Sequence, residues 1–148
     1  MSSAPAPVSV AATAPAIFNI GGQAIAINPD GSLAAPAAAT PGIAARPAKI
    51  GDAGGLVILA TGLGAVDQPI ADGANSADQQ RNALAAPTVL IGGVPAQVTF
   101  SGLSPQFVGI NQINVTIPAG TPTGNAVSLQ IQVNGTINSN TVFIAVSQ

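Results

Sequence analysis

The sequence predicts an all-β fold, an antiparallel β-sandwich, and three observations carry that prediction. Apolar and polar residues alternate over 113–117 and 127–133, the pattern of strands buried on one face only. An unbroken apolar run, Leu56-Val57-Ile58-Leu59-Ala60, lies between Gly54-Gly55 and Gly62, short enough to be a strand buried on both faces. Turn signals separate such segments: Asn-Pro-Asp-Gly at 28–31, Gly-Gly at 92–93 and Asn-Gly at 134–135.

Taken in chain order, residues 1–7 (MSSAPAP) read as an extended lead-in stiffened by proline, and 8–148 as one domain. Strand candidates follow at 8–11, 17–20 and 23–27. At Pro29-Asp30-Gly31, proline fixes φ, aspartate tolerates the second position and glycine takes the left-handed third. A three-residue loop there pairs Ile27 with Leu33 in a hairpin with a glycine bulge. Residues 34–51 hold three prolines among alanines with no period of 2 or 3.6, and read as a connector.

Residues 62–87 read as a long polar loop with three of the five aspartates and Arg81, and 76–86, which lacks Gly and Pro, suits one or two helical turns. Strands 88–91 and 94–100 flank the Gly92-Gly93 turn, so Ile91 faces Val94, and Val89, Ala96, Val98 and Phe100 share the inward side. In the last strand Val142, Ile144 and Val146 point inward. Their even parity conflicts with an inward Ile137, which places a bulge or a switch between sheets in Asn138-Ser139-Asn140. Short strands with turns at this spacing indicate a sandwich of immunoglobulin type.

Composition narrows function. The 148 residues include eight charged side chains and no histidine, cysteine, glutamate, tyrosine or tryptophan. General acid/base work, nucleophile activation and zinc binding draw mostly on the absent types, so no enzyme and no cofactor is expected. A net charge of −2 with three dispersed cations, Arg46, Lys49 and Arg81, excludes nucleic acid as a partner. No stretch approaches the ~20 apolar residues of a membrane span, and residues 1–17 show no signal peptide.

Several constellations carry residue types capable of chemistry. Asp67, Asp72, Asn75, Ser76 and Asp78 offer hard oxygen ligands and form a calcium candidate, but their spacing matches no EF-hand loop and no metal is assigned. Thr61-Gly62-Leu63-Gly64 lacks the Lys-Ser/Thr of a phosphate loop, so its glycines are read as permitting a turn out of a buried strand. Lys49 with Asp52 suggests an isopeptide crosslink, which a surface lysine would exclude. The Asn114 and Asn134 sequons read as a strand and a turn residue. Phe143, flanked by inward residues, faces out.

The phrases ATAPAIF, INPDGSLAAPA, LATGLGAV, IADG, VLIGGVPAQVTFSGLSPQFVGINQINVTIPAGTPTGNAV and SNTVFIAV follow one another as in the uncharacterised C-terminal domain of Solibacter and other acidobacteria, which the chain resembles over about residues 8–146. TGLG and IGGVPA also resemble the immunoglobulin-like IPT/TIG modules. One departure is that the stretch between Leu33 and Leu56 is longer and richer in alanine than that family's connector. The resemblance implies a module of large exported proteins, extracellular or at the cell surface, and carries no catalytic residues over.

The expected function is therefore a non-enzymatic structural module of the cell exterior, self-assembling as a filament or surface-layer subunit or joined to other domains of a larger exported protein. Neutral sheet edges lack the lysines that discourage strand addition. Residues 2–12 could lie along a neighbour's edge as a donated strand, with Pro5, Pro7, Val8, Val10 and the outward Phe143 as the contact candidates. The alternative is an adhesive or recognition module that binds a glycan or a surface protein through the 62–87 loop.

Overall fold

A computed structural model describes residues 1–148 and contains fourteen strands and no helix, hence none that could cross a membrane. The chain enters through β1 (Ala16–Ile17), β2 (Asn19–Ile20), β3 (Gln23–Ala24) and β4 (Ala26–Ile27), then β5 (Leu33–Ala34), β6 (Ala45–Arg46) and β7 (Ala48–Lys49). The longer strands follow: β8 (Leu56–Thr61), β9 (Pro87–Ile91), β10 (Val94–Leu103), β11 (Asn111–Thr116) and β12 (Gly124–Val133). β13 (Ile137–Asn138) and β14 (Val142–Ser147) complete the chain. Eleven of them form one hydrogen-bonded path, β2-β3-β14-β12-β9-β10-β11-β8-β4-β5-β6, curled into two layers, and β1, β13 and β7 join it beside β8, β12 and β14. β10 is the corner, since residues 94–96 pair with β9 in one layer and 97–103 with β11 in the other.

Between the layers Ile58, Ile113 and Val115 meet Ile91, Leu129, Ile131 and Ile144, all fully buried. Alternation places them there: Ile113 and Val115 point in while Gln112 and Asn114 point out, and Leu129 and Ile131 point in beside Gln130 and Gln132. Long strands pair antiparallel, but β14 pairs parallel with β3 and β7, and β5 with β6, which the purely antiparallel expectation had not included.

The turn chemistry is as expected. Asn28 N–H donates to Ser32 C=O at 2.8 Å and Gly31, at φ +84°, closes the loop opposite the Ile27–Leu33 pair. Gly92 and Gly93 both take positive φ between Ile91 and its partner Val94. The parity conflict before β14 resolves as a bulge rather than a switch of sheet, because β13 and β14 both pair with β12. Ser139 fills the irregularity: its N–H donates to Ile131 C=O at 2.8 Å and its Oγ accepts the Ile131 N–H at 2.9 Å.

Four expectations are corrected. Residues 8–11 form no strand; Val8 and Val10 are 83% and 93% exposed, so nothing in the monomer supplies a ladder for them. The 34–51 connector contains β6 and β7 and buries Ala34, Ala35 and Ala48, alanines too small to mark an inward face in the sequence. Residues 76–86 form no helical turn, because their hydrogen bonds run to Ala65, Ser101 and Ser104 instead of along a helix. Phe100 is not core. The register shifts between Val98 and Phe100, so Val98 stands opposite Val115 but Phe100 opposite the outward Asn114. Val94 and Val98 are half-buried rather than central.

Leu129 sits at the centre of this core, so Leu129→Ala is expected to lower the unfolding free energy by about 2–5 kcal/mol in denaturant titration. A change below about 0.5 kcal/mol, the size typical of exposed sites, would contradict its placement.

Candidate functional site

Arg81 organises the 62–87 loop. It is the one buried cation, with 5% of its side chain exposed, whereas Arg46 is partly exposed in an ion pair with Asp30 and Lys49 lies at the surface. Its Nη1 and Nη2 donate to the two carboxylate oxygens of Asp78 at 2.6 and 3.0 Å, Nε donates to Pro69 C=O at 2.8 Å, and Nη1 reaches Ser76 Oγ at 3.0 Å. The planar guanidinium thus binds three separate points of the loop, a geometry that lysine cannot reproduce.

The backbone around Arg81 extends the layer that contains β11. Ala83 N–H donates to Ser101 C=O at 2.8 Å and Leu103 N–H to Arg81 C=O at 3.0 Å, so 81–83 lies along the otherwise open edge of β10. On its far side Leu84 N–H donates to Ala65 C=O and Asp67 N–H to Asn82 C=O. Gly102 permits the contact: a Cβ there would overlap the Arg81 carbonyl oxygen and stand 2.9 Å from Phe100 Cζ.

Between this loop and the outer face of β10 and β11 lies a cleft of about 400 Å³. Ser76, Ala77, Gln79 and Gln80 form one wall, Phe100, Thr99 and Leu103 come from β10, and Gln112 and Asn114 from β11, with Pro105 at the rim. Every one of these side chains is uncharged. The Gln112 amide donates to Asn114 Oδ1 at 3.0 Å and Gln80 to Asn82 Oδ1 at 2.8 Å, which fixes their orientation. Gln112 Oε1, Gln80 Oε1, Asn114 Nδ2 and the Gln79 side-chain amide make no hydrogen bond within the protein. The arrangement can hold neutral hydrogen-bonding groups beside one aromatic ring. It contains no nucleophile paired with a base.

The calcium candidates do not assemble. Asp67 is committed to Asn82, whose N–H and side-chain amide donate to its two oxygens at 2.9 and 2.7 Å, and Asp78 to Arg81. Asn75 Oδ1 accepts from Ala77 N–H, Asp72 is exposed, and no group of three acidic side chains gathers. Lys49 is exposed, so the crosslink reading lacks its buried lysine. Around Gly62 the Ala14 N–H donates to Gly62 C=O at 2.9 Å and a Cβ would overlap Ala14 C=O, so these glycines admit the incoming chain. Pro5, Pro7, Val8 and Val10 are exposed, and Phe143 is 41% exposed, outward as its parity required.

Sequence reasoning missed the cleft residues Phe100, Gln112 and Asn114. The signal for the last two was the polar parity of β11; Phe100 carried none, since no glycine or proline marks the bulge before it.

A family model for the IPT/TIG domain matches residues 47–145. β1 to β6 precede the matched span, yet β1 and β4 pair with β8 and β3 pairs with β14 inside it. No curated protein and no solved structure matches the chain.

Two outcomes follow from the loop's bonding. Arg81→Ala should speed amide hydrogen exchange at Asp67, Ala83 and Leu84 while leaving Leu129 and Ile131 protected; unchanged exchange at Ala83 would remove Arg81 as the clamp. Hydrogen bonds from Asn82 hold the Asp67 carboxyl below its usual range, the bond from Arg81 does the same for Asp78, and Ser32 with Arg46 holds Asp30 lower still. Carboxyls depressed in the folded state stabilise it fully above their unfolded value of about 4, and that contribution is lost as pH falls through the folded values. The melting temperature should therefore fall below about pH 4, with the loop signals changing before those of β12.

Proposed function

The chain belongs to the IPT/TIG family of immunoglobulin-like modules, and on that premise we propose that it is a non-enzymatic recognition module of an exported protein, holding an uncharged ligand in the cleft between the 62–87 loop and β10–β11. The observation that carries this reading is the lining itself. In a surface of loops and strand edges, the cleft joins a half-buried phenylalanine to several amides with open hydrogen-bonding atoms and excludes every ionisable group. Phe100 offers a flat apolar ring to a sugar face or a proline ring, and Gln79, Gln80, Gln112 and Asn114 offer donors and acceptors to hydroxyls or peptide groups. Preorganisation supports it too, since Gln80 is already tied to Asn82 and Gln112 to Asn114, so these amides lose little freedom on binding.

A second reading, self-association as a surface or filament subunit, is favoured by the exposed Val8 and Val10 on a segment that the monomer leaves without a ladder. The outermost strands of the path, β2 and β6, are two residues long, so the edges open to a donated strand are short.

Titration of the isotope-labelled chain with neutral oligosaccharides and uncharged peptides tests the cleft. Saturable shifts at Phe100, Gln112 and Asn114 that Phe100→Ala weakens roughly tenfold are expected. If no compound in either panel moves these signals, the recognition reading falls. Sedimentation over a concentration series tests the second reading, which a monomer at every concentration would remove.

A further inference from the structure

We propose that the cleft receives the N-terminal segment of a second copy of this chain, residues 2–10, in a polyproline II conformation. The inference rests on the cleft being a ligand site and names its partner.

The segment and the cleft match in chemistry. The sequence Ser-Ser-Ala-Pro-Ala-Pro-Val-Ser-Val contains no ionisable side chain, and the first one in the chain is Asp30. Alternating Pro5 and Pro7 hold φ near the polyproline II value and bias the residues before them to extended conformation, so the segment reaches a binding-competent form at little entropic cost. A polyproline II backbone makes no internal hydrogen bonds, which leaves its carbonyls to be met by a receptor. The cleft supplies open amide donors at Asn114 and Gln79 and an aromatic ring at Phe100 against which a proline ring can stack. A volume of about 400 Å³ accommodates roughly three or four residues of such a chain, the length of Pro5-Ala6-Pro7-Val8.

The placement of the segment supplies the rest of the argument. Residues 1–12 are all exposed, and the chain first becomes fixed at Thr13 and Pro15, where Ala14 N–H bonds Gly62. None of the cleft's lining comes from the segment, so within one molecule the apolar side chains of Val8 and Val10 and the ring of Phe100 stay uncovered by each other. Strand addition, the other way to cover the segment, meets a sheet whose long edge at β10 is already occupied by 81–83 and whose outer strands are two residues long. Insertion of one copy's segment into the next copy's cleft is a head-to-tail contact, and repeating it builds a ring where the rotation closes and an open chain of modules where it does not.

The test uses the full chain. Synthetic peptide of residues 2–11 is titrated into isotope-labelled protein, and saturable shifts are expected at Phe100, Gln112 and Asn114. Sedimentation should show growth with concentration, and Val8→Lys, a change in an exposed segment that leaves the fold alone, should abolish it. Gln112→Lys, on the cleft's surface, should abolish both peptide shifts and growth. Because the chain has no cysteine, Ser3→Cys carries a single spin label. Labelled copies mixed with isotope-labelled copies should broaden the cleft signals of the latter.

Cleft signals of the isotope-labelled copies left sharp by the spin-labelled ones would overturn the proposal, as would peptide shifts at β2, β6 or Phe143 in place of the cleft. Cleft shifts with a neutral oligosaccharide and none with the peptide would overturn it while leaving the cleft as a recognition site. Silence from both would remove the site as well.

Discussion

β10 must hydrogen-bond to β9 in one layer and to β11 in the other, and a regular strand cannot serve both without bending. The extra residue between Val98 and Phe100 supplies the bend, and with it a change of parity: side chains that would have continued into the core emerge on the outer face. Three consequences follow from that single irregularity. Phe100 arrives beside Asn114 and Gln112 instead of beside Ile113. The second half of β10 is left with an open edge. Gly102, opposite Gln112, becomes the place where another piece of backbone can approach closely enough to cover that edge.

What covers it is held in place by the only buried cation of the chain. Burying a guanidinium is costly unless its donors are met, and Arg81 meets them with Asp78, Ser76 Oγ and Pro69 C=O, all from the loop it organises. The same bonds that satisfy the charge therefore fix the position of Ser76, Gln79 and Gln80 over Phe100. A chain with three cations has placed one where it defines the geometry of a neutral cleft; Asp78 is used up in holding it, and Asp67 in holding Asn82. That accounts for a cluster of acidic residues which looks in sequence like a metal site and behaves in the fold as a set of hydrogen-bond acceptors.

Legibility in the sequence tracked the size of the inward side chains. Val127, Leu129, Ile131 and Val133 alternate with polar residues and declare their strand; Ala45, Arg46, Ala48 and Lys49 do not, because an alanine is equally at home on either face, and so β6 and β7 read as connector. Turns built on Pro-Asp-Gly and Gly-Gly were legible because only glycine takes the required φ cheaply. The bulge at Ser139 could be inferred from a clash of parities, whereas the bulge before Phe100 left no clash to notice, since Phe100 is apolar and its neighbours tolerate either side. The helical reading of 76–86 failed for a local reason: Ser76, Asp78 and Asn75 bond to nearby backbone and to Arg81, which competes with the helix ladder. The immunoglobulin-like fold was thus readable from periodicity, and the cleft was not, because it depends on a register shift and on contacts between segments some twenty residues apart or more.

A surface with so few charges leaves shape, desolvation and neutral hydrogen bonds as the means of recognition. Long-range steering is weak at a net charge of −2, so an encounter is not accelerated and selectivity must come from fit. Fit in this molecule is set by rigid parts: two amides locked side by side, a ring resting over a glycine, and a loop clamped at three points. A partner whose own conformation is restricted before binding complements such a site best, because neither side then loses much freedom on association. Within the chain itself that description applies most closely to the proline-spaced segment that precedes the first strand, which is charge-free, extended by its own covalent geometry and left without a ladder by the fold behind it.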